Sequence, residues 1–331
     1  MAAHDILSFL ISGEWVSGED MAKRLAISRA AVWKQIQTLR QRGYEISAST
    51  RKGYRLTKKP DLLDADLIFG SLKTKWLGRD MRIFAKVSST NAVALSLARD
   101  CQNGTVILAE TQTEGRGRLS RSWASPPGGI WMSLIIKPEM PLNHVYQINM
   151  ACAVALCRAF SSFGLEVGIK WPNDLLIREQ KICGILMEVG AQVDRLDYAV
   201  VGLGLNVNND PSGFPVEWKS TSLAAELCHD IDRCALICRI LEEIEVAYEK
   251  MGSPEIYEEW RNRSLTLKRQ VRITSAAGDL VGQAVDLAED GALLLREGDE
   301  LIQVLAGDCI HLRPLEAIGA VRCAASRELG G

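Results

Sequence analysis

The chain has 331 residues, 47% of them hydrophobic and 24% charged, with a formal net charge of −2. This length exceeds one average hydrophobic core, so we expect two or three domains, and no apolar run approaches the roughly 18 residues that a membrane-spanning helix needs. Nine cysteines without a Cys-x-x-Cys pair, with only four histidines, indicate neither a zinc site nor a disulfide framework; with no signal peptide apparent, we expect reduced thiols in a cytoplasmic protein.

The first 60 residues form a basic head. They hold 11 Lys+Arg against 5 Asp+Glu, whereas the remainder of the chain holds 28 against 36. This asymmetry predicts a polyanionic partner for the head. Residues 5–11 are typical of a short amphipathic helix, and Ser17 and Ser28 each precede a helical pattern whose N-cap they would form. The apolar residues of the second pattern fall on one face.

Two capped helices joined by a short turn predict a helix-turn-helix, and strands expected at 44–46 and 51–56 add a wing. In that arrangement the helix over 28–42 enters the major groove of DNA, and the wing meets the phosphate backbone. The alternative is a small helical domain with a solvated basic face. The residues expected to contact DNA are Ser28, Arg29, Lys34, Gln37, Arg51 and Lys52.

Beyond the head, a polar, proline-containing stretch at 57–63 suits a linker. Strands are then predicted at 82–87, 105–110, 130–136, 181–189 and 198–208. Helices are predicted at 90–100, 143–163, 221–229 and 231–250. Because these elements show no regular βαβ alternation, we predict an α+β domain with a mixed sheet and helices on one face. Short strands at 271–274, 280–286, 292–295 and 301–305 predict a small β-barrel at the end.

Residues 113–123, Thr-Glu-Gly-Arg-Gly-Arg-Leu-Ser-Arg-Ser-Trp, connect two predicted strands. Glycines let a backbone approach a ligand closely, and arginines offer charge and forked donors to phosphate or carboxylate. The segment therefore predicts an anion-binding loop. A solvated basic turn is the alternative.

Two further segments favour an anion-binding loop at 113–123 over a solvated basic turn. Lys181 opens a strand that is otherwise apolar, and an unpaired cation there would cost several kcal/mol, so an anionic partner is expected. In the run 200–208, Gly202 and Gly204 leave room beside one face of the sheet for a flat ligand. Trp171, beside Pro172, is interpreted as a packing residue.

These motifs together resemble biotin–protein ligases. The Gly-Arg-Gly-Arg loop, the Lys-Trp-Pro-Asn-Asp turn at 170–174, the strand at 181–184 and the Gly-Leu-Gly-Leu-Asn-Val-Asn run at 202–208 follow the family's order, and the likeness covers most of residues 80–210. One departure is Ser120, where the family usually carries glycine. The head resembles the DNA-binding domain of those ligases that repress biotin synthesis genes.

The resemblance implies a three-domain α+β architecture. A winged helix-turn-helix would span 1–63, a class II synthetase-like ligase domain 64–262, and an SH3-like barrel 263–331. The implied reaction uses ATP with Mg²⁺ to form biotinyl-5'-AMP, and then passes biotin to a lysine of the biotin carboxyl carrier protein. The metal's protein ligands stay unknown. The adenylate-bound form is expected to be a homodimer on operator DNA, with no membrane partner.

The resemblance also assigns roles to individual residues. Arg118 and Lys181 would be catalytic, and Asp174 is a candidate to orient or deprotonate the acceptor lysine. The biotin-binding set is Ser89, Thr90, Asn91, Gln112, Arg116, Gly117, Arg118, Lys181, Gly184 and Gly204. The ATP-binding set is Arg116, Arg118, Arg121, Trp123, Asn173, Lys181, Asn206 and Arg313. A DNA-binding biotin sensor without efficient transfer, a ligase whose head serves only structure, and a lipoate-type ligase are the alternatives.

Overall fold

A computed structural model describes residues 2–41, 43–192, 195–275 and 278–312. Within these ranges, no helix is both long and apolar enough to cross a membrane. Buried apolar residues form one small cluster within the head, a large cluster that spans the rest of the chain, and a third, minor cluster against the central sheet.

The head contains three helices followed by a two-stranded antiparallel hairpin. The helices are α1 (Ala2–Leu10), α2 (Gly18–Arg24) and α3 (Arg29–Gln41), and the strands are β1 (Glu45–Ser49) and β2 (Gly53–Lys58). Both predicted caps are confirmed, because the Ser17 hydroxyl accepts from the Glu19 N–H at 3.2 Å and the Ser28 hydroxyl accepts from the Ala31 N–H at 3.1 Å. The apolar face of α3 is fully buried, as its periodicity predicts. The helices and hairpin of the predicted winged fold are therefore present.

A seven-stranded sheet lies at the centre of the protein. Its strands are β3 (Met81–Phe84), β4 (Thr105–Ala109), β5 (Ile130–Ile136), β6 (Gly168–Lys170), β7 (Asp174–Ile177), β8 (Gln180–Gln192) and β9 (Arg195–Leu205). Their order is β3-β4-β5-β9-β8-β7-β6, and β3 pairs with β4 in parallel while the other neighbours are antiparallel. The predicted mixed sheet is confirmed.

Helices cover both faces of this sheet, which corrects the prediction of helices on one face. The helices are α4 (Ala65–Ser71), α5 (Thr90–Leu97), α6 (Tyr146–Ser161), α7 (Leu223–Leu227), α8 (Arg233–Glu249) and α9 (Pro254–Asn262). The long helices α6 and α8 share a core with Val106 and Leu134, whereas α5 packs on Ile107 and Ile135 of the opposite face. A strand covered on both faces is apolar at nearly every position, so β4 and β5, apart from Thr105 and Ser133, carry continuous apolar runs rather than alternating ones.

The stretch at 57–63 is fastened rather than free, which corrects its interpretation as a linker. Strand β2 already includes Thr57 and Lys58, and Leu63 is only 9% exposed. The Leu63 N–H donates to Glu110 at 2.5 Å, and Asp61 pairs with the buried Arg233 at 2.5 Å. The stretch between the head and the central sheet is therefore fixed to the central part of the molecule by Glu110 and Arg233.

The chain ends in a five-stranded antiparallel sheet. Its strands are β10 (Gln270–Ser275), β11 (Gly278–Leu287), β12 (Leu293–Glu297), β13 (Glu300–Val304) and β14 (Asp308–His311), in the order β13-β12-β11-β10-β14. The first four were predicted, and β14 was not. Buried side chains of this five-stranded sheet, such as Val271 and Leu295, belong to the same core cluster as the central sheet. The last sheet is thus packed directly against the central part of the molecule.

Candidate active site

A cavity of about 690 Å³ lies where the loop at residues 113–123, here called the arginine loop, meets the start of α5, strands β8 and β9, and the edge strand β14. This volume is within the ordinary range for small-molecule sites. Most of the residues that the sequence singled out line it. They are Ser89, Thr90, Asn91, Gln112, Arg116, Gly117, Arg118, Arg121, Trp123, Asn173, Asp174, Lys181, Gly184, Gly202 and Gly204.

Backbone hydrogen bonds close the arginine loop into a compact turn. The Gly117 N–H donates to the Arg121 carbonyl at 2.7 Å, and the Trp123 N–H donates to the Gly115 carbonyl at 2.8 Å. A Cβ on Gly115 would lie 2.4 Å from the Trp123 carbonyl oxygen, so this crossing needs glycine. The left-handed residue of the loop is Leu119, at φ 52°.

Two arginines of the loop bind the C-terminal sheet and the Lys-Trp-Pro-Asn-Asp turn. Arg118 donates to the Asn173 side-chain oxygen at 3.1 Å and to the Gly307 carbonyl at 2.7 Å. Arg121 pairs with Asp308 at 2.5 Å. The three separate stretches of chain are thereby joined at one wall of the cavity.

Lys181 has the anionic partner that its position predicted. Its Nζ lies 2.7 Å from Asp174 Oδ1, and the two side chains are 27% and 23% exposed. The same ammonium lies 4.8 Å from the centroid of the Trp123 ring, within cation–π range. Lysine, carboxylate and indole are therefore held together at the middle of the cavity.

The glycines of the sheet line the cavity, as predicted, and they also make room for protein side chains. A Cβ on Gly204 would lie 2.6 Å from Trp123 Nε1, and one on Gly184 would lie 3.2 Å from Trp123 Cζ3. At Gly202 it would lie 2.2 Å from Asn91 Oδ1. The indole N–H is buried and has no hydrogen-bond partner within the described residues.

The polar end of the cavity is a hydrogen-bonded group. Gln112 Oε1 accepts from the Thr90 N–H at 2.7 Å and lies 3.1 Å from the Thr90 hydroxyl. Asn91 donates to Glu188 at 2.7 Å. Behind them the fully buried Ser133 lies 2.8 Å from Thr90 Oγ1 and 2.6 Å from Asn91 Oδ1. Ser133 was not predicted from the sequence, although a lone hydroxyl in the apolar run 130–136 could have indicated a polar partner.

Asn206, predicted to bind ATP, lies outside the cavity lining. It is 1% exposed, and its side-chain oxygen accepts from Asn209 at 3.0 Å. Its backbone bonds to Ile182 and Leu223, so this residue joins the end of β9 to the start of α7. The position fixes the fold beside the site, because a strand end must satisfy its polar groups. Arg313 lies outside the described residues.

Trp171 is the packing residue that the sequence indicated. It is 1% exposed, its indole N–H donates to the Gly291 carbonyl at 2.9 Å, and its bond to Pro172 is cis. Lys170, which the sequence analysis did not single out, lines the cavity beside it. Burial and the cations Lys170 and Arg269 lower the pKa of His311 to about 4. His311, at the end of β14, therefore stays neutral near pH 7.

The acidic side chains that line the described cavity form salt bridges with Lys or Arg. Asp174 pairs with Lys181, Glu179 with Arg269 and Asp308 with Arg121. No group of three His, Cys, Asp or Glu side chains within the described residues could hold a metal ion. The described lining of the cavity carries six Lys and Arg side chains against three acids.

The head presents five of its six predicted DNA-contacting residues to solvent, whereas Gln37 is half-buried. Arg29 and Lys34 are exposed on α3, and Arg51 and Lys52 are exposed in the turn between β1 and β2. The wing cations are ordered around an aromatic ring, because Lys52 and Arg55 lie 6.0 and 5.3 Å from the centroid of Trp15. Helix α3 and the hairpin of β1 and β2 thus form a positively charged surface on the head.

Comparison with known proteins agrees with this geometry. Residues 83–206 match the biotin/lipoate A/B protein ligase family, residues 3–55 match a helix-turn-helix domain, and residues 266–312 match the biotin protein ligase C-terminal domain. The chain is 38% identical to the bifunctional ligase/repressor BirA of Bacillus subtilis, over 89% of this chain and 93% of that protein. The chain belongs to the biotin–protein ligase family.

Other members of the family and a solved structure extend this result. The biotin–[acetyl-CoA-carboxylase] ligase of Mycobacterium tuberculosis is 34% identical over 71% of this chain and 90% of its own length. The biotin protein ligase of Aquifex aeolicus, solved in complex with biotin and ATP, superposes with a TM-score of 0.63 at 26% identity. That match covers 71% of this chain and 99% of the Aquifex protein. The family's ligase fold is therefore present in this chain together with a helix-turn-helix head.

Proposed function

We propose that the chain is an ATP-dependent biotin–protein ligase and a biotin-responsive repressor of biotin synthesis genes. The observation that supports the ligase most directly is the convergence of Arg116, Arg118 and Lys181 with a polar pocket in one cavity. Biotin and ATP would form biotinyl-5'-AMP with release of pyrophosphate. The acyl group would then pass to a lysine of the biotin carboxyl carrier protein.

The first step brings a carboxylate against a phosphate. Two unit charges at 4 Å repel by about 4 kcal/mol at an effective dielectric constant near 20. The cations Arg116, Arg118 and Lys181 offset that repulsion and stabilise the charge that grows on the α-phosphate. No base is needed, because a carboxylate with a pKa of about 4–5 is already ionised at neutral pH. The cations alone account for this step.

We assign the two ends of the cavity to the two substrates. The polar end would hold the biotin head group through Ser89, Thr90, Asn91, Gln112 and the backbone at Arg116, since a ureido ring is rich in donors and acceptors. Trp123 would stack on adenine beside Arg121 and Asn173. Lys181 would bridge the carboxylate and the α-phosphate. Its ion pair with Asp174 holds the ammonium at the junction of the two ends.

The second step needs a neutral amine from a lysine whose unperturbed pKa is about 10.4. Asp174 is our candidate to orient or deprotonate it. Its carboxylate lies 2.7 Å from Lys181, beside the position that the acyl phosphate would occupy. Phosphate oxygens that take over Lys181 would leave this carboxylate able to accept the proton of the incoming ammonium group.

Magnesium would enter on the phosphates of ATP. Mg²⁺ keeps several waters and is commonly held by phosphates with one or two carboxylates. The carboxylates of the described cavity are already paired with cations, so the chain would contribute little to its coordination. The ion would serve as a counter-charge of the nucleotide.

For the molecule as a whole, we propose three domains at 1–63, 64–262 and 263–331, with a class II synthetase-like centre and an SH3-like end. The separate core of the head supports the first boundary. The chain would be cytoplasmic, and binding of the adenylate would favour a homodimer that sets two heads on one operator. Coupling of this kind must be reciprocal, so operator DNA would also favour the dimer.

Transfer of labelled biotin to a biotin carboxyl carrier domain, in the presence of ATP, tests the proposal. Lys181→Met should lower the rate by about 10²–10³-fold, because it removes one preorganised charge from the junction. The matched control is Lys86→Met, which changes an exposed lysine just after β3. Failure of the unaltered protein to transfer biotin would favour a DNA-binding biotin sensor without efficient transfer. Preferential transfer of lipoate would favour a lipoate-type ligase. Operator binding that biotin and ATP leave unchanged would favour a ligase whose head serves only structure.

A further inference from the structure

A line of hydrogen bonds behind the polar end of the cavity runs from Glu188 through Asn91 and Ser133 to Thr90. Neither Ser133 nor Glu188 lines the cavity. Ser133 is 0% exposed, in the middle of β5. A buried hydroxyl with two oxygen neighbours must give its one proton to one of them. The direction of that proton therefore decides what the cavity presents to a ligand.

The orientation of Asn91 follows from its neighbours. Its amide nitrogen faces Glu188 Oε2 at 2.7 Å and the Leu186 carbonyl at 3.3 Å, and both of these groups only accept. Its oxygen must then face Ser133 Oγ, at 2.6 Å. The amide lies directly over Gly202, where a Cβ would be 2.2 Å from Oδ1, so the sheet is shaped to admit it. Ser133 is thus the donor to Asn91.

Once its proton is given to Asn91, Ser133 can only accept from Thr90. The two hydroxyl oxygens are 2.8 Å apart, so the Thr90 proton must lie between them. Gln112 Oε1 is fixed as an oxygen because it accepts from the Thr90 N–H at 2.7 Å. It lies 3.1 Å from Thr90 Oγ1, whose only proton is already used. Two acceptor oxygens are left side by side at the cavity wall.

We propose that Ser133, aligned by Asn91 and Glu188, is a positioning residue that makes Thr90 Oγ1 and Gln112 Oε1 a paired acceptor selective for a ligand N–H. The inference rests on the proposed function, which supplies the ureido N–H of biotin. A donor placed between the two oxygens relieves the repulsion of their lone pairs, and an acceptor or a methyl group in that place does not. Ser133, which does not line the cavity, therefore determines that the cavity selects a ligand N–H.

Isothermal titration with biotin, and with the two biotins methylated on one or the other ureido nitrogen, tests this selection. The unaltered protein should bind one methylated isomer at least about 100-fold more weakly than biotin, since both acceptors are left unpaired. In Ser133→Ala the Thr90 proton is free to turn to Gln112, so biotin should bind about tenfold more weakly and the ratio between biotin and that isomer should fall about tenfold. Thr105→Val is the matched control, because it removes another fully buried hydroxyl, in the neighbouring strand β4, and should leave the ratio unchanged.

Glu188→Met provides a second variant that leaves β5 intact. It frees the Asn91 amide to turn, so the ratio should fall in the same direction as in Ser133→Ala. A ratio that stays at the unaltered value in either folded variant overturns the role of Ser133. Absence of any biotin binding to the unaltered protein overturns the proposed function itself, so the two failures are distinct.

Discussion

Trp123 occupies the position on which both ends of the cavity depend. It lies against Gly184 and Gly204 of the sheet and under the Lys181 ammonium, between the polar pocket and the arginine loop. A side chain at Gly204 would meet the indole at 2.6 Å, which is closer than real Cβ contacts come. Because the indole is rigid and bounded by the sheet, it would have to move toward the cavity.

We therefore expect Gly204→Ala to weaken ATP binding about tenfold or more, since inserting one methyl group into a packed contact typically costs 1–3 kcal/mol. Isothermal titration with ATP, together with the tryptophan emission spectrum, measures both the affinity and the displacement of the indole. Gly213→Ala is the control, because its Cβ meets nothing within 4 Å. Equal ATP affinity in the two variants would contradict the assigned contact.

The structural role of a single residue could be predicted from the sequence when its hydrogen-bond partner lies only a few positions away in the chain. The caps Ser17 and Ser28 bond within three residues, so their roles were readable from the chain. Ser133 meets Thr90 and Asn91, more than 40 positions away, through a sheet order that the sequence does not state. Asn206 matched a motif, yet its contacts place it beside the cavity rather than in it.

At the scale of elements, Arg233 joins three segments that the sequence left separate. It is 2% exposed near the start of α8, and it donates to Asp61 at 2.5 Å, to Glu110 at 2.9 Å and to the carbonyl of Gly129 at 2.8 Å. These partners belong to the stretch below the head, to the end of β4 and to the start of β5. An arginine on an amphipathic helix is usually exposed, so nothing local in the sequence indicated this burial.

Arg233→Met should destabilise the fold by about 3–5 kcal/mol, because it leaves the largely buried Glu110, together with Asp61, which is 39% exposed, without a counter-charge. Thermal unfolding should show a fall in Tm of roughly 5–15 °C. Arg239→Met on the same helix is the control, since that arginine is 43% exposed and pairs with Glu243 four residues away. Such a pair is worth about 0.3–0.5 kcal/mol. Similar losses in both variants would show that the junction contributes no more than a surface pair.

Predicting the elements succeeded where their apolar pattern was long or continuous. Strand β5 has the predicted bounds, 130–136, because it is buried at every position. The strands β6 and β7 have three and four residues, too few to show a period, and they were missed. The position of α5 on the second face could not be read from its own sequence, since the choice of face depends on how the neighbouring strands pair.

At the scale of the whole molecule, charge separates the head from the body. The excess of cations in the first 60 residues contrasts with the excess of acids in the remainder. The wing adds two exposed cations, Arg51 and Lys52, and Trp15 orders the second of them. A surface of this kind binds phosphates, and each phosphate contact releases about 0.9 of a counterion from duplex DNA.

The wing therefore determines how steeply DNA binding falls with salt. Titration of a labelled duplex between 50 and 200 mM salt should give a straight line of log affinity against log salt, and Arg51→Ala with Lys52→Ala should make its slope shallower by about 2, because two phosphate contacts are lost. The control combines Lys73→Ala with Arg99→Ala, two exposed cations outside the head, and should keep the original slope. A slope that changes equally in both double variants would mean that the body, rather than the wing, lies against the phosphates.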